Sequence, residues 1–143
     1  MKRLACFLML ALMVVPFVSG FAQQAKVAEK ESAPVVEVLY FHGAQRCRTC
    51  VALQNAAKEV VDAKFSKELK SGRVAFREID LSSKEGGKLG DKYEIAWSSL
   101  IIVRHEEKKE KVADLTDDGF RYAVNNKDKI QSLIAQKISE FLK

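Results

Sequence analysis

The sequence has few cysteines and histidines, the residues that cross-link small domains by disulfides or bind metal clusters. Its 143 residues include three cysteines, two histidines and two prolines. Three cysteines exclude a disulfide framework of the kind that holds small secreted domains together. His42 and His105 lack the spacing of a zinc site. Basic residues are interleaved with acidic ones and form no stripe with aromatic residues between them, so the sequence gives no indication of nucleic-acid binding.

One long apolar run stands apart at the N-terminus. Two basic residues precede an uncharged stretch, Leu4 to Val18, and small residues stand at Gly20 and Ala22. The stretch is shorter than the roughly 20 apolar residues of a membrane-spanning helix, which disfavours a retained anchor. We therefore predict a cleaved export signal over residues 1–22, which places the protein in the periplasm or outside the cell, with no membrane attachment after cleavage.

Cleavage after Ala22 changes the composition of the chain. It removes Lys2 and Arg3, so the formal net charge falls from +5 to +3, a value that says little about partners. Cys6 is lost with the signal, and one cysteine pair remains in a compartment where disulfides persist. Residues 23–34 are polar and predict a flexible linker, and residues 35–143 predict one domain.

Hydrophobic patterning predicts alternating strands and helices in that domain. Val35 to Phe41 is almost wholly apolar, as in a strand covered on both faces. Apolar residues then recur at helical spacing from Cys47 to Lys70, and residues 74–81 predict a second strand. Residues 82–94 contain three glycines, and we expect only a short or irregular helix there.

The remainder predicts a hairpin and a closing helix. Residues 100–103 form a buried strand, and residues 111–115 return as a more polar edge strand. Thr116 and the two aspartates after it offer a cap for a helix to the C-terminus, which Asn125-Asn126 could interrupt. The order β-α-β-(α)-β-β-α predicts an α/β fold, in which a mixed four-stranded sheet with a parallel first pair carries helices on both faces.

Cys47 and Cys50 are the chemically loaded feature of the sequence. They lie three residues apart at the junction between the first predicted strand and the first predicted helix, and Arg46 and Arg48 flank Cys47. Unpaired N–H groups and the positive dipole end of a helix favour a thiolate, as do neighbouring arginines. We therefore expect a lowered pKa at Cys47, with Cys50 placed to close a disulfide.

This element order, with Cys47-Arg48-Thr49-Cys50 at the start of the first helix, resembles the thioredoxin-like superfamily, whose three-layer fold would cover most of residues 35–143. The resemblance implies that Cys47 is the exposed attacking thiol and Cys50 the more buried resolving thiol. It also implies exchange with protein thiols and disulfides and with an unidentified redox partner protein, without a cofactor. We expect a monomer.

The sequence departs from the family pattern at three places. Ser98 stands where the family usually has a cis-proline, and a non-proline cis bond is costly, so we expect a trans peptide there. No acidic residue lies between Val38 and Arg46, which leaves His42 as the candidate proton acceptor. Arg48-Thr49 replaces the Gly-Pro of thioredoxins, and the charge should stabilise the thiolate and make the disulfide more oxidising.

Other interpretations of the same residues remain open. Trp97, beside Ser98, could face substrate or belong to the core. The cysteine pair with His42 could bind copper or zinc or share an iron–sulfur centre between subunits, although the ligands are few. The domain could also bind partners without catalysis. The leading hypothesis is an exported thiol–disulfide oxidoreductase.

Overall fold

The structure, a computed structural model, describes residues 33–143. The predicted signal over residues 1–22, and residues 23–32 of the predicted linker, lie outside the described residues. Nine elements follow in chain order: β1 Val36–His42, α1 Arg48–Lys64, α2 Ser66–Lys70, β2 Val74–Asp80, α3 Lys84–Tyr93, β3 Ser99–His105, β4 Glu110–Asp114, α4 Thr116–Tyr122 and α5 Lys127–Phe141.

The four strands form one mixed sheet in the order β2-β1-β3-β4. β1 pairs in parallel with β2 and antiparallel with β3, and β3 and β4 form the antiparallel hairpin. The parallel pair requires a crossover, which α1 and α2 supply. The predicted mixed four-stranded sheet is confirmed. β1, the strand that leads through a short loop to the cysteine motif, is a central strand.

Helices cover both faces of this sheet, as predicted. Successive residues of β1 point to opposite faces, so Val38 and Tyr40 pack with α1 and α5. Leu39 and Phe41 instead pack with residues of α3 and of the segment that follows it. The almost complete burial of all four side chains explains why this strand is apolar at nearly every position.

The helix predicted from Cys47 to Lys70 is divided in two. α1 ends at Lys64, and Phe65 leaves the helical conformation with φ −122° and ψ 28°. The Phe65 side chain is buried in the core against the sheet, while the short α2 has no buried residue. The prediction of one continuous helix is therefore wrong, because the non-helical Phe65 separates α1 from α2.

The segment over residues 82–94 forms a regular ten-residue helix, α3, rather than the short or irregular one expected. The hydroxyl of Ser83 accepts a hydrogen bond from the N–H of Gly86 and caps the helix. Gly86 and Gly90 are buried where a Cβ would lie 1.9 Å from the carbonyl oxygen of Asp80 and 2.7 Å from that of Ile95. Close packing against the backbone therefore accounts for these two glycines.

The C-terminal helix is interrupted before Lys127, where the sequence suggested a break. Asn126 caps α5 by accepting a hydrogen bond from the N–H of Lys129 at 3.2 Å. The cap predicted at Thr116 is wrong, because its hydroxyl accepts from the N–H of Leu100 at 3.1 Å. The N–H of Thr116 is satisfied by a carboxylate oxygen of Asp114 at 2.8 Å.

Candidate functional site

Cys47 lies at the start of α1 and is exposed, while Cys50 is 6% exposed. The two sulfurs form a disulfide with a Cα–Cα distance of 5.0 Å. Cys47 is the N-cap of the helix, and its Sγ accepts a hydrogen bond from the N–H of Cys50 at 3.0 Å. The same N–H and the helix dipole would face a thiolate at Cys47 after reduction.

The strand order and the cysteine pair at the start of the first helix match the arrangement expected from the sequence. The fold is thioredoxin-like. As the resemblance implied, the first cysteine is accessible and the second lies behind it. This arrangement can form a mixed disulfide at the outer sulfur and resolve it from the inner one.

Tyr40 connects β1 to the start of α1 beneath the disulfide. Its side chain is fully buried, and its hydroxyl donates a hydrogen bond to the carbonyl oxygen of Cys50 at 2.8 Å. Burial raises the pKa of Tyr40, whereas the charge of Arg46 and a hydrogen bond with the hydroxyl of Ser98 lower it less strongly. The phenol therefore remains a protonated donor at neutral pH.

Arg46 is held by two side chains rather than extended freely beside Cys47. Its guanidinium donates to the amide oxygen of Gln54 and lies 3.9 Å from the carboxylate of Glu78. The amide nitrogen of Gln54 donates in turn to the same carboxylate. Glu78 was not predicted as a site residue because the family pattern places the acidic residue on the first strand. Glu78 instead lies on the neighbouring β2, where its Cα is the register partner of that of Tyr40.

Arg48 and His42 stand on either side of this network. Arg48 is the exposed first residue of α1 and takes part in none of the salt bridges between described residues. Nδ1 of His42 lies 3.0 Å from the carbonyl oxygen of Gly43, and the His42 ring stacks on Tyr40 at 6.3 Å between centroids. A proton-accepting role for His42 stays a prediction.

Ser98 and Trp97 lie in the segment between α3 and β3. Ser98 is partly buried, and it is one of the groups that lower the pKa of Tyr40. No cis peptide bond occurs in the part of the chain that the structure describes, so the bond before Ser98 is trans, as predicted. Trp97 is 69% exposed at a shallow groove that also includes Ile95 and Val112, so the core alternative for Trp97 is wrong.

The two histidines are not brought together. His105 lies at the opposite end of the sheet from His42, with its ring nitrogens 2.7 Å from Glu37 and 3.0 Å from Glu110. Residues 33–143 contain no group of three or more His, Cys, Asp or Glu side chains arranged to hold a metal ion. Within the same residues, every helix is too short or too polar to cross a bilayer.

Comparison with known proteins gives only distant likenesses. No protein-family model matches the sequence, and no curated protein matches it significantly. A solved structure described as that of a malarial protein aligns with a TM-score of 0.40 at 17% identity, covering 63% of this chain and 93% of that one. A thioredoxin from Thermus thermophilus aligns with a TM-score of 0.41 at 17% identity, and the alignment covers 68% of this chain and 72% of that one.

Proposed function

We propose that the protein is an exported thiol–disulfide oxidoreductase that acts on protein thiols and disulfides. The observation that carries this proposal is the asymmetry of the cysteine pair. Cys47 is an exposed residue whose sulfur accepts a hydrogen bond from the N–H of Cys50 at a helix start, while Cys50 is buried. An inert structural disulfide gains nothing from an exposed sulfur at a site that stabilises a thiolate.

The proposed reduction of a partner proceeds in two exchanges. The thiolate of Cys47 attacks one sulfur of the partner disulfide, a Cys47–partner bond forms, and the other partner sulfur leaves as a thiolate and takes up a proton. The thiolate of Cys50 then attacks the sulfur of Cys47 and displaces the second partner thiolate. Two electrons pass from the dithiol to the partner disulfide, and partner oxidation runs the same steps in reverse.

The reduction potential of the pair is the first measurement that tests this proposal. A chain that carries Cys6→Ser, so that only the pair can react, is equilibrated with glutathione buffers and its free thiols are counted. We expect a reversible two-electron couple. A potential of about −270 mV would indicate a reductase, and a potential of about −120 mV would indicate an oxidase or isomerase. Thiols that do not pair, or a purified protein with bound metal, would contradict the proposal.

The two cysteines should differ when each is replaced. Cys47→Ser should abolish the reduction of a disulfide-bonded protein substrate. Cys50→Ser should leave attack by Cys47 intact and trap the mixed disulfide, which intact mass spectrometry detects as a covalent adduct. Equal loss of adduct formation in both variants would exclude the assigned roles.

Export is a separate part of the proposal, supported by the apolar N-terminal run and the small residues before Gln23. Expression of the full chain in a Gram-negative host should release a product into the periplasmic fraction. Its intact mass should correspond to residues 23–143. Recovery of the uncleaved chain from the membrane fraction would contradict this part and leave the redox chemistry untouched.

A further inference from the structure

Three side chains from three different elements form one hydrogen-bonded network next to the cysteine pair. Arg46 comes from the loop before α1, Gln54 from the second turn of α1, and Glu78 from β2. Gln54 is 9% exposed, and its amide is used at both ends, accepting from Arg46 and donating to Glu78. A buried amide satisfied in this way fixes the direction of both charged groups.

The pairing has a consequence for the thiol. Two arginines flank Cys47, and both would favour its thiolate if they were free. The carboxylate of Glu78 lies 3.9 Å from the guanidinium of Arg46, whereas Arg48 takes part in no salt bridge between described residues. The positive charge that the sequence places before Cys47 is therefore partly compensated, and the charge after it is not.

Tyr40 shows that both charges act close to the start of the helix. Arg46 lowers the pKa of Tyr40 and Glu78 raises it, both less strongly than burial does. The Tyr40 hydroxyl is itself 2.8 Å from the carbonyl oxygen of Cys50. Both charges therefore act on a hydroxyl that is bonded to the first turn of α1, and that turn carries the cysteine pair.

We propose that Glu78 is a positioning residue of the redox site, which through Gln54 holds and partly neutralises Arg46 and so makes the Cys47–Cys50 disulfide less oxidising. The inference rests on the proposed redox function. Glu78 does not touch the reacting sulfurs in this role. It acts by limiting how far Arg46 stabilises the thiolate of Cys47, and therefore the reduced state.

The test measures alkylation of reduced Cys47 by iodoacetamide against pH, with the label located by mass spectrometry. Glu78→Gln should move the midpoint of the profile to lower pH and raise the thiolate fraction below that midpoint by about three- to tenfold. The equilibrium with glutathione should move toward the dithiol by a similar factor. Arg46→Gln should move both quantities in the opposite direction.

A matched control and a double variant separate positioning from a general charge effect. Glu59→Gln removes the same charge from α1 where Glu59 pairs with Lys127, and it should leave the midpoint unchanged. Glu78→Gln introduced with Arg46→Gln should shift the midpoint clearly less than it does alone. The inference is overturned if Glu78→Gln behaves like Glu59→Gln, or if its effect is the same in both backgrounds.

These outcomes are distinguishable from failure of the proposed function. The alkylation profile needs only reduced thiols and can be measured without turnover. A wild-type chain that forms no reversible couple contradicts the oxidoreductase proposal. A wild-type chain with a normal couple, combined with an inert Glu78→Gln, contradicts only the role of Glu78. Urea unfolding of each variant checks that the fold is retained.

Discussion

The hydroxyl of Tyr40 donates a hydrogen bond to the carbonyl oxygen of Cys50 across 2.8 Å of the protein interior. This bond joins the central strand to the first turn of the helix that carries both cysteines. Ser98, in the loop before β3, lowers the pKa of the same phenol. The neutral hydroxyl of Tyr40 thus holds the first turn of α1 against the sheet.

Removal of the Tyr40 hydroxyl should lower the stability of the protein without creating a cavity in the core. Tyr40→Phe retains the ring and loses the hydrogen bond to Cys50, and we expect the free energy of unfolding of the oxidised protein to fall by about 1 kcal/mol. Urea unfolding measures this change. Tyr122→Phe, at a half-buried position of α4, is the control and should change stability by less than about 0.5 kcal/mol. Equal effects would show that the Tyr40 hydrogen bond contributes nothing specific.

Ser98→Ala tests the contact between the loop and Tyr40. The hydrogen bond with Ser98 lowers the pKa of Tyr40, so its removal should raise that pKa further above the usual value of a tyrosine. NMR titration of the labelled tyrosine rings resolves Tyr40 from the other two. Ser139→Ala, on the exposed side of α5, should leave the titration unchanged. A Tyr40 pKa that does not respond to Ser98→Ala would show that the two hydroxyls are not in contact.

The sequence predicts the parts of this fold that depend on local pattern. The apolar run of β1, the helical spacing after Cys47 and the polar edge strand are each visible in a short window. The position of the cysteine pair at the strand–helix junction follows from the same patterns. Asn126 caps α5 with its own side chain, so the interruption before that helix also has a local cause.

The parts that the sequence does not predict depend on contacts between distant elements. The break at Phe65 falls within a continuous helical spacing of apolar residues, so no local signal predicts it. Glu78 reaches Arg46 only because β2 lies beside β1 in a register that places Glu78 next to Tyr40. The glycines of α3 lowered the expectation of a helix, but Gly86 is required where α3 meets the backbone of β2 at Asp80, and Gly90 where it meets the backbone of Ile95.

Two neighbouring glycines of α3 provide a matched test of that packing. A Cβ at Gly86 would lie 1.9 Å from the carbonyl oxygen of Asp80, whereas one at Gly87 would meet only the carbonyl oxygen of Leu81, at 3.7 Å. We expect Gly86→Ala to lower the free energy of unfolding by about 2 kcal/mol or more. Gly87→Ala should be neutral or stabilise by up to about 1 kcal/mol, because alanine favours the helix. Thermal or urea unfolding measures both, and similar changes in the two variants would contradict the close approach of α3 to β2.

Glu110 should make the stability of the fold depend on pH through its link between β4 and α3. A carboxylate oxygen of Glu110 accepts from Nζ of Lys92 at 2.8 Å, and this hydrogen bond is the largest cause that lowers the pKa of Glu110. A group whose pKa is lower in the folded than in the unfolded state stabilises the fold above the unfolded value. That contribution is lost as the pH falls through the folded value.

The expected difference between wild type and Glu110→Gln is therefore largest at neutral pH and vanishes in acid. Because both partners are partly exposed, we expect Glu110→Gln to lower the free energy of unfolding by about 0.5–1 kcal/mol at neutral pH. As the pH falls through the folded pKa of Glu110, the two proteins should come to unfold at nearly the same urea concentration, since Glu110 then becomes protonated in wild type as well. Glu107→Gln, at an exposed position of the same hairpin, should match wild type at neutral pH and in acid. A difference that persists unchanged into acid would show that Glu110 acts by packing, and one that grows in acid would contradict the direction of its pKa shift.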